Sequence, residues 1–326
     1  MIVIFGAGGV GSVIGGRLHQ HRDRHGHEIV MVARPTHAAA IRSDGLRLHS
    51  PAGVDVIAVP VVEHISEITL TDGDIVILTM KTQDTTIALD QLQHHTTADI
   101  AVVCAQNGVE NERLVLRRFA RTYGICVILP ALFLDPGVVD AFGAPHNAIL
   151  DVGCYPTGAD DTATALAVAL TASDLVSDAV AEVMPIKYTK LLMNLANPID
   201  ALFEPSDASK QLGKLARTEA HAAFTAAGIV TSGGDVDAER RAGRMEVQPV
   251  AGRQRGGGST WQGLARGATT TETDYLNGEI VLLGRLHRVP TPVNAALCST
   301  MRWAAESGIA PRSLDANDLM ARIGHL

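Results

Sequence analysis

A chain of 326 residues with 46% hydrophobic and 19% charged content has a globular composition and the length for two domains, each with its own core. Its formal net charge of −8 gives no electrostatic reason to expect nucleic acid or an anionic membrane as partner. No apolar run reaches membrane-spanning length, and no signal-peptide core precedes the first strand-like run. Cys104, Cys126, Cys154 and Cys298 form no CxxC pair, which suits a reducing cytoplasm better than a disulfide framework. The expectation is a cytoplasmic protein, with a homodimer left open.

In chain order, Ile2-Val3-Ile4-Phe5 reads as a strand, followed by a glycine-rich turn and a helical stretch over residues 10–21. Further strands are predicted at 28–32, 75–79, 100–104, 125–129 and 148–152, with helical stretches at 85–92, 109–119 and 160–170. This alternation predicts a mostly parallel, doubly wound α/β sheet of the Rossmann type. Two runs at 46–49 and 54–59, joined through Ser50-Pro51-Ala52-Gly53, predict an inserted hairpin.

The character changes near residue 181. Helical periodicity over 184–203, 210–227, 272–288 and 292–307 predicts an all-α domain over 183–326, after an α/β domain over 1–182. Thr291-Pro292 reads as an N-cap with proline in the first turn, and Gly308 as a C-terminal cap. Residues 231–258 are rich in Gly and Arg and end in Arg253-Gln254-Arg255-Gly256-Gly257-Gly258. They read as a long mobile loop whose arginines are exposed, one of them able to reach an anionic substrate.

Gly6-Ala7-Gly8-Gly9-Val10-Gly11 matches G-x-G-x-x-G directly after a strand and at the head of a helix, the context that dinucleotide binding requires. Gly6 would allow the tight turn, Gly8 the approach of backbone to pyrophosphate, and Gly11 close helix–sheet packing. After the second strand, Val32-Ala33-Arg34-Pro35-Thr36-His37 offers no carboxylate to a ribose hydroxyl. Arg34 can instead fork onto a 2′-phosphate, which predicts NADP.

Lys81 and Asn107 both fall just past predicted strand ends, where ligands bind in open sheets. Lys81 could meet cofactor ribose or phosphate. Asn107 could bridge cofactor and substrate, although Asn107-Gly108 is also an ordinary turn former. At about 100° per residue, Lys190, Asn194 and Asn197 lie within about 60° of one another on a helix otherwise rich in leucine. Such a polar stripe implies a polar ligand. His19, His21, His25 and His27 straddle a helix end among Arg22, Asp23 and Arg24, and read as solvated surface rather than a metal site.

Taken together, these segments resemble the ketopantoate reductase (2-dehydropantoate 2-reductase) family. The most specific are the Lys-x-x-x-Asn helix and Glu272-Thr273-Asp274-Tyr275-Leu276-Asn277-Gly278. The resemblance implies a Rossmann domain followed by a helical domain, with substrate in the cleft between them. It also implies reduction of a 2-oxo acid with NADPH, ketopantoate to pantoate on the way to pantothenate and coenzyme A. By position, Lys190 would protonate the ketone oxygen and Glu272 would lie beside it. Asn194, Asn197, Asn107 and Ser259 would hold substrate oxygens. An ammonium in hydrogen-bond reach suits hydride delivery, which builds negative charge on that oxygen.

This chain departs from the best-known branch in the Asn194-to-Asn197 spacing, in one extra residue between Ser259 and Glu272, and in the segment 231–258. All three bear on the substrate. Competing readings are a reductase of another oxo acid or an imine, and a catalytically silent NADPH-binding sensor.

Overall fold

The computed structural model describes residues 1–253 and 256–324; Gln254 and Arg255, at the end of the Gly/Arg-rich segment, lie outside the described residues. The chain forms two compact units, Met1–Lys187 with Gly233–Arg255, and Tyr188–Ser232 with Gly256–Leu326.

The first unit alternates strand and helix: β1 (Ile2–Phe5), α1 (Gly9–Gln20), β2 (Ile29–Val32), α2 (Pro35–Asp44), β3 (Val61–Val62), β4 (Ile75–Leu78), α3 (Thr85–His95), β5 (Ala101–Cys104), β6 (Thr122–Ile128), β7 (Ile149–Cys154) and α4 (Asp161–Ala172). The sheet order is β7-β6-β5-β4-β1-β2-β3. Every neighbour is parallel except β7, which runs antiparallel to β6. Alternate residues of β1 enter opposite layers. Ile2 and Ile4 pack with Val13, Ile14 and Leu18 of α1, whereas Val3 and Phe5 pack with Leu89 and Leu92 of α3. Burial on both faces is why these strands read as continuous apolar runs. Each fully buried Ile or Val contributes roughly 1.5–3 kcal/mol.

The expected hairpin forms, Leu46–Ser50 against Gly53–Ile57 with Leu46 opposite Ile57. Val138–Ala141 and Ala131–Leu132 extend it to a four-stranded sheet. The helix expected over 109–119 shrinks to Asn111–Leu116.

α5 (Val183–Asn194) begins in the first unit and ends in the second. The helix predicted through residue 203 breaks here, and α6 (Asn197–Leu202) starts anew with Pro198 in its first turn. Proline has no N–H to donate, and its ring would meet the carbonyl four residues back, that of Asn194. Asn197 is therefore the first residue of α6 rather than a continuation of α5. α7 (Asp207–Ala227) is opened by a Ser206/Ser209 capping box and closed by Gly228 at φ +67.

The chain then returns to the first unit, and here the expectation of a mobile loop fails. Within 231–258 lie α8 (Gly234–Arg241) and a strand, Met245–Val247, paired with Gly143–Pro145. Arg240 pairs with buried Asp151 and, at 2.7 Å, with Asp178. Arg253 reaches Asp140, which is fully buried, at 3.0 Å. These arginines are engaged by carboxylates far away in sequence, which local composition could not show.

In the second unit, α9 (Ser259–Ala265), a 3₁₀ turn (Glu272–Tyr275), α10 (Asn277–His287), α11 (Pro292–Glu306) and α12 (Ala316–Gly324) complete an all-helical arrangement. Glu272 thus stands on the turn ahead of the helix expected over 272–288. Thr291 occupies the N-cap of α11 without a capping side-chain bond. Glu219 of α7 does that work instead, accepting from the Val293 and Asn294 N–H groups at 2.8 and 3.0 Å. Gly308 ends α11 at φ +64, as expected. No described helix is long and apolar enough to cross a membrane.

Candidate functional site

The order of the main sheet reverses between β1 and β4, so the loops after β1, β2, β4 and β5 share one edge at a topological switch point. These loops carry Gly6–Gly11, Arg34, Lys81 and Asn107, and the fold brings all four segments together there.

The glycines divide by role. A Cβ on Gly6, at φ +105, would lie 2.6 Å from the Met80 nitrogen, and one on Gly11 would lie 2.4 Å from Thr79 Oγ1 and 2.7 Å from the Gly6 carbonyl. Thr79 Oγ1 donates to that carbonyl at 2.8 Å, which locks the turn against the segment leading to Lys81. A Cβ on Gly8 would meet only the Gly6 oxygen, at 4.0 Å. Gly8 caps α1 without a side chain, and no acid stands in the first turn. The opening N–H groups of such a helix have no intrahelical acceptor, and its dipole favours an anion. Two glycines are filled in and the middle one faces open space, the cradle a pyrophosphate requires.

Arg34 is exposed at the N-cap of α2, and no carboxylate pairs with it among the described residues. Beneath it His37 is buried. The Gly137 N–H donates to His37 Nδ1 at 2.8 Å, so the ring proton sits on Nε2, which faces Ser12 Oγ at 3.1 Å. Burial, and then the Arg34 guanidinium, push this imidazole down to about 4.

Lys81 is half-buried at the head of the 3₁₀ turn Thr82–Asp84, and Asn107 is half-buried after β5, ahead of Gly108 at φ +80. Between them Gln106 Nε2 donates to Thr85 Oγ1 at 3.2 Å and approaches Met80 Sδ at 3.5 Å. Gln106 and Thr85 are supports that sequence reasoning passed over. The available signal was a polar side chain at the mouth of an apolar strand.

In the second unit, Lys190 and Asn194 lie on α5, with Asn194 buried and its Oδ1 without a hydrogen-bond partner. Asn197 opens α6 and is half-buried. Ser259 is the first residue of α9, just after Gly258, whose N–H donates to Asp200 Oδ2 at 2.8 Å. Asp200 also takes Arg312 at 2.7 Å. Glu272 is 7% exposed on its 3₁₀ turn, next to Thr273, whose carbonyl accepts from Cys298 Sγ at 3.7 Å. Burial, with Asp274 nearby, pushes that thiol up to about 12. Asp200 was not singled out from sequence, and Asn277 stood out only as part of the segment 272–278.

Comparison with known proteins matches this arrangement at the level of family. The family described as ketopantoate reductase PanE/ApbA matches residues 2–156, and its C-terminal counterpart matches residues 182–304. A 2-dehydropantoate 2-reductase of Pyrococcus horikoshii is 25% identical over 303 residues, covering 92% of this chain and 96% of that protein. A crystal structure of a PanE/ApbA family ketopantoate reductase from Ralstonia eutropha is 26% identical, covers 94% of this chain and 99% of its own, and superposes with a TM-score of 0.78. The fold is also shared by D-mandelate dehydrogenase in a ternary structure with NADH and anilino(oxo)acetate, at 22% identity and a TM-score of 0.77, over 94% of this chain and 99% of that one. This chain belongs to the ketopantoate reductase family, and is a nicotinamide-dinucleotide-dependent oxidoreductase.

Proposed function

We propose that this protein reduces 2-dehydropantoate to pantoate with NADPH. The observation that carries the cofactor half is the open space over Gly8 between the tightly filled Gly6 and Gly11, at the head of a helix with no acid in its first turn. Arg34, exposed and without a carboxylate partner among the described residues, supports NADPH over NADH, because a guanidinium can take a 2′-phosphate bidentately.

When bound, the nicotinamide supplies the hydride. The remaining chemistry falls to the chain. Lys190 donates a proton to the ketone oxygen as negative charge builds there. Glu272 steadies the ammonium. Asn194, whose buried Oδ1 has no partner, accepts from the substrate hydroxyl, since a bare buried acceptor costs about 1–3 kcal/mol until a donor arrives. Asn197 and Ser259 hold the remaining substrate oxygens, Asn107 touches both ligands, and Lys81 meets cofactor ribose or phosphate.

NADPH oxidation across a panel of 2-oxo acids and cyclic imines tests the reading. The expected result is the highest kcat/KM with 2-dehydropantoate. A preference for another member of the panel reassigns the substrate, and tight NADPH binding without turnover removes the enzyme reading.

A further inference from the structure

Behind the edge that carries Lys81 and Asn107, the first unit holds a run of buried polar groups to which the reduction itself assigns no task. Asn111 Nδ2 donates to Thr82 Oγ1 at 3.0 Å, Thr85 Oγ1 donates to Asn111 Oδ1 at 2.8 Å, and Gln106 Nε2 donates to Thr85 Oγ1 at 3.2 Å. The run ends at an ion pair between Lys187 of α5 and Glu112, whose side chains are 2% and 0% exposed. Lys187 Nζ also donates to the main-chain carbonyls of Gln106 at 3.2 Å and Ile125 at 3.3 Å, so each of its three protons has an acceptor. Gly124 of β6 makes room for the carboxylate, because a Cβ there would lie 3.1 Å from Glu112 Oε1.

Burying two charges costs several kcal/mol per ion, and apolar residues of similar volume commonly serve stability as well or better. Stability alone is a weak reason for this pair. An apolar pair, however, could not hold a carbonyl in place. The carbonyl held here belongs to Gln106, immediately before Asn107.

We propose that Lys187 and Glu112 are positioning residues for the reduction: the buried pair anchors the Gln106 carbonyl and thereby sets where Asn107 meets its ligands. The inference rests on the reading of Asn107 given above. Thr82, Asn111 and Thr85 extend the same support to the turn that follows Lys81.

The test uses the full-length protein and the paired variant Lys187→Met/Glu112→Leu, which removes both charges at once and leaves neither stranded. The expected result is a Tm close to the parent, a loss in kcat/KM on the order of 10- to 100-fold, and faster amide exchange over residues 106–108. The loss should not add to that of Asn107→Ala when the three substitutions are combined. Glu112→Gln, which keeps the volume and an acceptor oxygen, provides the second arm if the paired variant does not fold. It should speed the same amides and lower kcat/KM. Parental kinetics and exchange in a folded variant would overturn the proposal. If Asn107→Ala impairs turnover while the pair variants do not, the proposal alone is overturned. A silent Asn107→Ala overturns the reading of Asn107 and the proposal together.

Discussion

Asn277 Nδ2 donates to the main-chain carbonyl of Leu195 at 3.2 Å, tying the turn after Glu272 to the helix break after Asn194. The same amide donates to Asn294 Oδ1 at 2.9 Å, and Asn294 Nδ2 donates to Glu219 Oε2 at 2.7 Å. Asn277 is completely buried, so nothing in solvent can replace these bonds. Asn277→Leu keeps the bulk and strands two acceptors, at about 1–3 kcal/mol for each left bare. Urea denaturation should show that loss, and kcat should fall while NADPH affinity holds. A kcat unchanged in the folded variant would show that the bond serves stability only.

The two kinds of glycine in the first turn should separate by experiment. Gly11→Ala forces a Cβ against Thr79 Oγ1 and the Gly6 carbonyl, and overpacking of that kind costs about 1–3 kcal/mol in the ligand-free protein. Gly8 has φ −89 and open space, so Gly8→Ala should leave Tm unchanged and weaken NADPH binding by intruding where the pyrophosphate sits. Thermal melts with and without NADPH distinguish the two. A Gly8→Ala protein that binds NADPH normally would remove the cradle.

Arg34→Ala tests cofactor choice. A charge-assisted bond to a phosphate is worth about 1.5–3 kcal/mol, so NADPH affinity should fall roughly 10- to 150-fold while NADH affinity barely changes. Titration by quenching of protein fluorescence measures both. An equal loss for the two cofactors would place Arg34 in a shared contact or in the fold.

Lys190→Ala removes the proposed donor and its charge, so kcat should fall by roughly 10²- to 10⁴-fold with NADPH binding retained. Glu272→Ala should also lower kcat, and the double variant should lose less than the product of the two, as for residues that act as one unit. Near-normal turnover with lowered Tm in both single variants would make the two residues structural.

His37 predicts a pH dependence of stability. Its folded value is held at about 4 against an ordinary 6.5, so between those values the unfolded chain binds the extra proton. Stability from this group is therefore complete above about pH 6.5 and is lost as pH falls toward 4, to a total of about 3 kcal/mol. His37→Gln should flatten that part of the curve in denaturant titrations between pH 7 and 4. An identical slope in the variant would assign the acid sensitivity elsewhere.

Much of this protein was legible locally. The run Ile2–Phe5 and the glycines that follow it are neighbours along the chain, so the Rossmann unit could be read from periodicity and spacing. Pro198 breaks the leucine-rich helix expected over 184–203, so that Asn197 starts α6 instead of continuing α5.

What only the tertiary structure decided were pairings between residues far apart in the chain. The segment 231–258 has the composition of a loop, but Arg240 and Arg253 find buried carboxylates at Asp151 and Asp140, and those contacts tie residues 233–253 into the first unit. Glu219 rather than Thr291 caps α11. Lys187 and Glu112 give no local sign of meeting inside the first unit. Strand and turn preferences act over a few residues and leave a pattern in sequence, whereas the partner of a buried charge is chosen by how the chain folds back on itself.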